Sequence, residues 1–73
     1  MSYTVGKLKV AAYNRKEPED MTIQERNLYL GLAYCYDWFK LHPGQQKECK
    51  ELMDNYINFF ELQQIVELRR KEN

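Results

Sequence analysis

The sequence has few of the residues that build active sites, and it has no net charge. One histidine, two cysteines and three glycines are spread over 73 residues, so the chain has neither a glycine-rich phosphate loop nor a standard zinc-ligand spacing. Eleven basic residues balance eleven acidic ones, which removes any overall attraction to nucleic acid or to an anionic membrane. We therefore expect a protein that is not an enzyme and that uses no metal and no cofactor.

Long apolar runs and a secretory signal are missing as well. No stretch of about 18 apolar residues is present, and the N-terminus lacks the apolar region of a signal peptide, so we expect no membrane span and a cytoplasmic location. The cysteines, Cys35 and Cys49, are too few for the disulfide framework of a small secreted domain. We interpret them as reduced thiols packed in the core, and the alternative is a disulfide or a reactive site.

The apolar content predicts a folded protein. Apolar residues make up 44% of the chain and aromatic residues 14%, which is too much for a disordered tail. We expect one domain over residues 1–73, mainly α-helical, in which an antiparallel helical hairpin carries a short N-terminal β-strand or extended arm. The arm covers residues 1–13, a charged linker covers 14–21, and the two helices cover 22–41 and 45–71.

The two helices have clear boundary signals. Thr22 and Glu25 have the spacing of a capping box, which starts a helix. Pro43 cannot continue a helix and favours an extended residue before it, so the first helix ends near residue 41. In the second helix, Cys49 and Phe60 belong to a stripe that faces the first helix. The apolar phase changes after Phe60, which predicts either a bend near residue 61 or last turns that pack elsewhere.

The N-terminal arm is expected to be the binding element. Apolar and basic side chains alternate from Lys7 to Val10, as they do in a half-buried strand, and a bulge at Gly6 would reconcile this parity with that of the preceding residues. A single strand needs a pairing partner. That partner is the sheet edge of another protein or a second copy of this chain, and the alternative is an extended segment lying over the helices.

The first helix has apolar residues on all sides, which indicates an unpaired surface. Leu30 and Tyr34 lie nearly opposite its main apolar stripe, and Phe59 lies outside the stripe of the second helix, so both aromatic residues are predicted to be partly exposed. The charges near Tyr34, Asp37 and Lys40, cancel, which favours a protein partner over nucleic acid. The residues expected to contact the partner are Tyr3, Val5, Lys7, Leu8, Lys9, Val10, Arg15, Lys16 and Tyr34.

A small, charge-balanced chain that is extended from Tyr3 to Val10 and helical from Thr22 to Lys71 is similar in plan to bacteriophage regulators that bind host RNA polymerase. The resemblance implies binding to a polymerase subunit through the N-terminal arm, inhibition of transcription initiation and an effect on termination. Three alternatives are open. They are an inhibitor of another host machine such as a nuclease or CRISPR effector, a small protein whose basic arm binds nucleic acid, and a structural homodimer.

Overall fold

The chain forms three α-helices in the computed structural model, which describes residues 3–72. Helix α1 covers Val5–Asn14, α2 covers Ile23–Leu41 and α3 covers Gln46–Glu72. The Cα atoms extend over 47 × 24 × 15 Å. Helix α2 packs against both other helices, whereas α1 and α3 hardly meet, so α2 is the central element. None of the described helices combines the length and the apolarity that crossing a bilayer requires.

The predicted mainly α-helical class is confirmed, and the predicted strand or extended arm over residues 1–13 is wrong. Its residues 1–2 lie outside the described part of the chain, and Val5–Asn14 is a helix. Thr4 caps this helix, because its side-chain oxygen accepts a hydrogen bond of 3.2 Å from the backbone N–H of Lys7. The apolar residues at positions 8, 10 and 12 alternate as in a strand, but positions 8 and 12 also have the i, i+4 spacing of a helix. The helix buries both Leu8 and Ala12.

Helix α1 runs parallel to α2, so the segment 15–22 must return along the two helices. The residues at the start of α1 contact the start of α2, and those at its end contact the second half of α2. The pairs in contact are Tyr3 with Glu25, Tyr13 with Tyr36, and Arg15 with Asp37. Arg15 begins the return in a left-handed conformation with φ of 56°, and the hydroxyl of Tyr3 donates to the carbonyl of Glu19 in the returning segment.

The predicted boundaries of the hairpin helices agree with the structure to within one residue. The capping box is present: Thr22 Oγ1 accepts from the Glu25 N–H at 3.1 Å, and Glu25 Oε1 accepts from the Thr22 N–H at 2.8 Å. Helix α2 ends at Leu41, where the His42 N–H donates to carbonyls of the last turn. Helix α3 continues without interruption past residue 61 to Glu72.

The core lies between α2 and the two helices beside it. Leu8 and Ala12 of α1 have no exposed surface, so α1 is an integral part of the core and not an appendage. The buried residues of the cluster are Leu8, Ala12, Leu28, Tyr29, Leu32, Ala33 and Phe60.

Among the residues whose burial the structure describes, one charged side chain, Glu25, is buried, with 2% of its surface exposed. Both of its carboxylate oxygens accept backbone hydrogen bonds, Oε1 from Thr22 and Oε2 from Tyr3 at 2.6 Å. Burial alone would raise the pKa of Glu25, but the hydrogen bonds from Thr22 and Tyr3 outweigh it, and the pKa lies below its ordinary value. The ionised carboxylate therefore ties the start of α1 to the start of α2.

The position of α1 predicts unequal effects of two truncations in it. Leu8→Ala should lower the free energy of unfolding by about 2–5 kcal/mol, because it leaves a cavity in the core. Val10→Ala is the matched control at a site that is 61% exposed, and it should change that free energy by less than about 0.5 kcal/mol. Urea denaturation followed by circular dichroism measures both. Equal effects would contradict the burial of Leu8.

The lowered pKa of Glu25 predicts a stability that depends on acid pH. A group with a lowered folded-state pKa stabilises the protein above its unfolded-state pKa, and that contribution is lost as the pH falls through the folded-state value. Glu25→Gln offers only one acceptor oxygen to two backbone donors, so it should cost about 1–3 kcal/mol at pH 7. Denaturation from pH 7 to pH 2 should show this difference shrinking below the unfolded-state pKa of about 4.3. A difference that is constant over this range would refute the role of the ionised carboxylate.

Candidate functional site

The described part of the N-terminal segment, from residue 3 to the end of α1, has no strand edge to offer a partner. Leu8 is fully buried, and Tyr3 and Val5 are half-buried against the core. The backbone groups of α1 are used in the bonds of its own helix, so they are not free to add to a sheet. The mechanism of strand addition is therefore wrong for Val5–Asn14, and Leu8 anchors α1 to α2 instead of facing a partner.

The basic residues of the predicted site do not form one cluster. Lys7 is exposed and Lys9 is half-buried, and residues two apart point to different sides of a helix. Arg15 forms an ion pair with Asp37, which neutralises its charge. Lys16 is exposed in the returning segment. The structure thus separates these cations, and of the predicted apolar site residues it leaves Val10 and Tyr34 most exposed.

The central helix exposes a row of large apolar side chains on the side away from the core. At about 100° per residue the members fall within roughly 40° of one another and nearly opposite the buried Leu32. Between 54% and 79% of each is exposed, so the predicted exposure of Tyr34 is confirmed. We call this row the outer α2 stripe, and it consists of Ile23, Leu30, Tyr34 and Leu41.

Helix α3 carries a second exposed apolar row, which we call the α3 stripe. It consists of Leu52, Tyr56, Phe59, Leu62 and Val66. Between 38% and 62% of each is exposed, which confirms the predicted exposure of Phe59 but places Leu52 and Tyr56 at the edge of the contact with α2. The stripe was not among the predicted binding residues, although the change of apolar phase after Phe60 is a signal for it.

The two stripes lie on the same face of the molecule. The ring of Tyr56 packs on Gly31 of α2 so closely that a Cβ there would lie 2.7–2.9 Å from its ring atoms. Beside this contact, Asn27 of α2 and Phe59 of α3 line one groove. Asn27 is one helical turn before Leu30, so the groove joins the α3 stripe to the outer α2 stripe.

The groups that could carry chemistry are not brought together. Among the residues that the structure describes, no three histidine, cysteine or acidic side chains form a metal-binding cluster. Cys35 and Cys49 are buried and unbonded to each other, and the Cys49 thiol contacts the Cys35 carbonyl oxygen at 3.4 Å. Burial raises the pKa of both thiols, which keeps them protonated. This agrees with their interpretation as reduced core residues.

The chain has no significant match among protein families, curated proteins or solved structures. The two apolar stripes are therefore the features from which a function can be inferred. Large exposed apolar surfaces mark contacts with other molecules.

The contact between Gly31 and Tyr56 predicts a strong coupling between the two positions. Gly31→Ala should lower the free energy of unfolding by about 1–3 kcal/mol through overpacking, although alanine favours a helix by about 1 kcal/mol over glycine. In a Tyr56→Ala background the ring is gone, so the same change should be neutral or stabilising. A double-mutant cycle in urea measures the coupling, and purely additive effects would contradict the close packing.

Proposed function

We propose that this chain is a non-enzymatic protein-binding domain that contacts its partner through the outer α2 stripe. The observation that carries the proposal is the exposure of four large apolar side chains in one row on the central helix. Tyr34 lies in the middle of the row, and tyrosine is among the residues that contribute most to binding at protein interfaces. An amphipathic helix of this kind fits an apolar groove on a folded partner.

The charges beside the outer α2 stripe support a protein partner over a nucleic acid. Arg26 pairs with Glu17 at 2.7 Å, and Asp37 pairs with Arg15. The flank of the stripe is thus locally neutralised, and it offers few free cations for the phosphate contacts that dominate nucleic-acid binding. An apolar protein surface is the partner chemistry that this neutral surround favours.

The finer proposal is that the partner is a subunit of bacterial RNA polymerase, in the cytoplasm of a host cell, and that binding inhibits transcription initiation and affects termination. Its support is the similarity in length and in the helices after Thr22 to small phage regulators, without the extended arm of that plan. Since Val5–Asn14 is helical, we assign the contact to the outer α2 stripe and not to an N-terminal arm.

A pair of matched double variants tests this assignment. Leu30→Ser with Tyr34→Ser removes the centre of the outer α2 stripe and should weaken binding to purified bacterial RNA polymerase about tenfold or more. The control is Val10→Ser with Tyr13→Ser, which changes a similarly exposed pair on α1 and should leave the affinity unchanged. Biolayer interferometry measures the affinity, and circular dichroism checks that both variants are folded.

The possible results distinguish the general proposal, that the outer α2 stripe binds a protein, from the finer one, that this protein is RNA polymerase. If the parent protein does not bind polymerase, the finer proposal fails, and the same variants are compared on proteins captured from a bacterial lysate. A partner that binds the stripe variant as tightly as the parent would overturn the role of the outer α2 stripe. A partner lost only with the control variant would move the interface to α1.

A further inference from the structure

The C-terminal part of α3 is apolar on several sides and has no helix beside it. Helix α3 has 27 residues and α2 has 19, which corresponds to lengths of about 40 and 28 Å. A short turn joins the two helices, so α3 extends past the start of α2. In this extension Ile65, Val66 and Leu68 are each at least 42% exposed. A partner on the side of the α3 stripe would cover Val66 and leave Ile65 and Leu68 exposed.

The accessible surface of the chain is larger than a monomer of its size should have. A folded monomer of 8.9 kDa is expected to expose about 4,800 Å², whereas this chain exposes 5835 Å². The excess of about 1,000 Å² is close to the area of about 800 Å² that each partner buries in a standard interface. One stable interface would therefore bring the exposed surface back to the expected value.

We propose that the α3 stripe is covered by the α3 stripe of a second copy of this chain, in an antiparallel dimer centred near Leu62. Gln63 lies between Phe59 and Val66 on the side of α3 that carries the stripe. With Gln63 included, the positions along the centre of the contact are 52, 56, 59, 63 and 66. They alternate steps of four and three residues, which is the spacing of a coiled-coil contact. In this register Phe59 lies opposite Gln63 of the second copy, and Tyr56 lies opposite Val66. These pairs place the two-fold axis beside residue 61, so Leu62, one residue away, approaches its own copy there, as an isologous interface requires.

The charges along α3 select the antiparallel orientation. Glu48 and Glu51 are exposed at the N-terminal end of the stripe's flank, and Arg69 and Arg70 are exposed at its C-terminal end. Lys47 and Lys50, at the same end of α3, lie on the side of the helix opposite the stripe. Two antiparallel copies therefore bring Glu48 and Glu51 of each helix beside Arg69 and Arg70 of the other. Parallel copies would place like charges together, which disfavours that pairing. The charges that flank the outer α2 stripe, Arg26 and Asp37, are already paired with Glu17 and Arg15 within the chain, so α3 is the element whose charges are suited to self-association.

Sedimentation equilibrium of the full chain tests the dimer. The parent protein should reach twice its chain mass of 8.9 kDa as its concentration rises. Leu62→Glu places two carboxylates together near the two-fold axis and should raise the dissociation constant about tenfold or more. The matched control is Leu68→Glu, a similarly exposed leucine outside the α3 stripe, which should leave the dimer intact. A parent protein that stays monomeric up to about millimolar concentration (a dimerisation free energy weaker than about 4 kcal/mol) would overturn the proposal.

A charge-reversal pair tests the orientation. The variant with Glu48→Arg and Glu51→Arg has two basic ends, and the variant with Arg69→Glu and Arg70→Glu has two acidic ends. Each alone should dimerise more weakly than the parent in the antiparallel arrangement, whereas parallel copies, in which like charges already meet in the parent, would not be weakened further. An equimolar mixture should restore association by forming a heterodimer. A mixture that forms none, or single variants that dimerise like the parent, would overturn the antiparallel arrangement.

The proposed dimer and the proposed partner binding can be disproved independently of each other. Leu62→Glu leaves the outer α2 stripe intact, so a protein that binds a partner but does not dimerise disproves only the α3 contact. Leu30→Ser with Tyr34→Ser leaves the α3 stripe intact, so a dimer that binds no partner disproves only the function proposed for α2.

Discussion

The two hydrogen bonds that the buried carboxylate of Glu25 accepts determine how the helices are arranged. One oxygen caps α2 through the Thr22 N–H, and the other holds the Tyr3 N–H just before α1. Both helices therefore start at the same end of the molecule, and α1 must run parallel to α2. A buried carboxylate is costly unless its oxygens are satisfied, and here each oxygen has a backbone donor, which also keeps its pKa low.

The parallel packing of α1 leads to the exposure of the outer α2 stripe. Helix α1 covers one side of α2, and α3 covers another. Only these two helices are available to bury a central helix that has apolar residues on all sides. Helix α1 has only ten residues, and no further helix follows it before α2 begins. The third side of α2 thus stays open. A chain of this length buries only about 60% of the surface of its unfolded form, and here the unburied apolar part is concentrated in two stripes.

The features that could be predicted from sequence are those that depend on neighbouring residues. The capping box at Thr22 and the stop at Pro43 fix α2 because both act within one helical turn. Periodicity was also sufficient to predict that Tyr34 and Phe59 are exposed, since both fall off the main apolar stripes.

The features that could not be predicted depend on contacts between distant residues. The alternation around Leu8 is compatible with a strand or a helix, and what decides is its burial against α2 together with a hydrogen bond between Tyr3 and Glu25, which are 22 residues apart. The apolar phase change after Phe60 is compatible with a bend or with last turns that pack elsewhere. Helix α3 continues without interruption beyond the end of α2 that covers it, which only the relative lengths of α2 and α3 reveal.

Stability and association are linked in a molecule with this distribution of apolar surface. The last turns of α3 are mostly exposed, and helix segments without tertiary packing open at little free-energy cost. In the proposed dimer these turns gain cover from the first half of the partner's α3, so association would stabilise the part of each chain that its own core cannot reach. The α3 stripe would then complete the fold, and the outer α2 stripe, whose flanking charges are already paired within the chain, would remain free for a different protein.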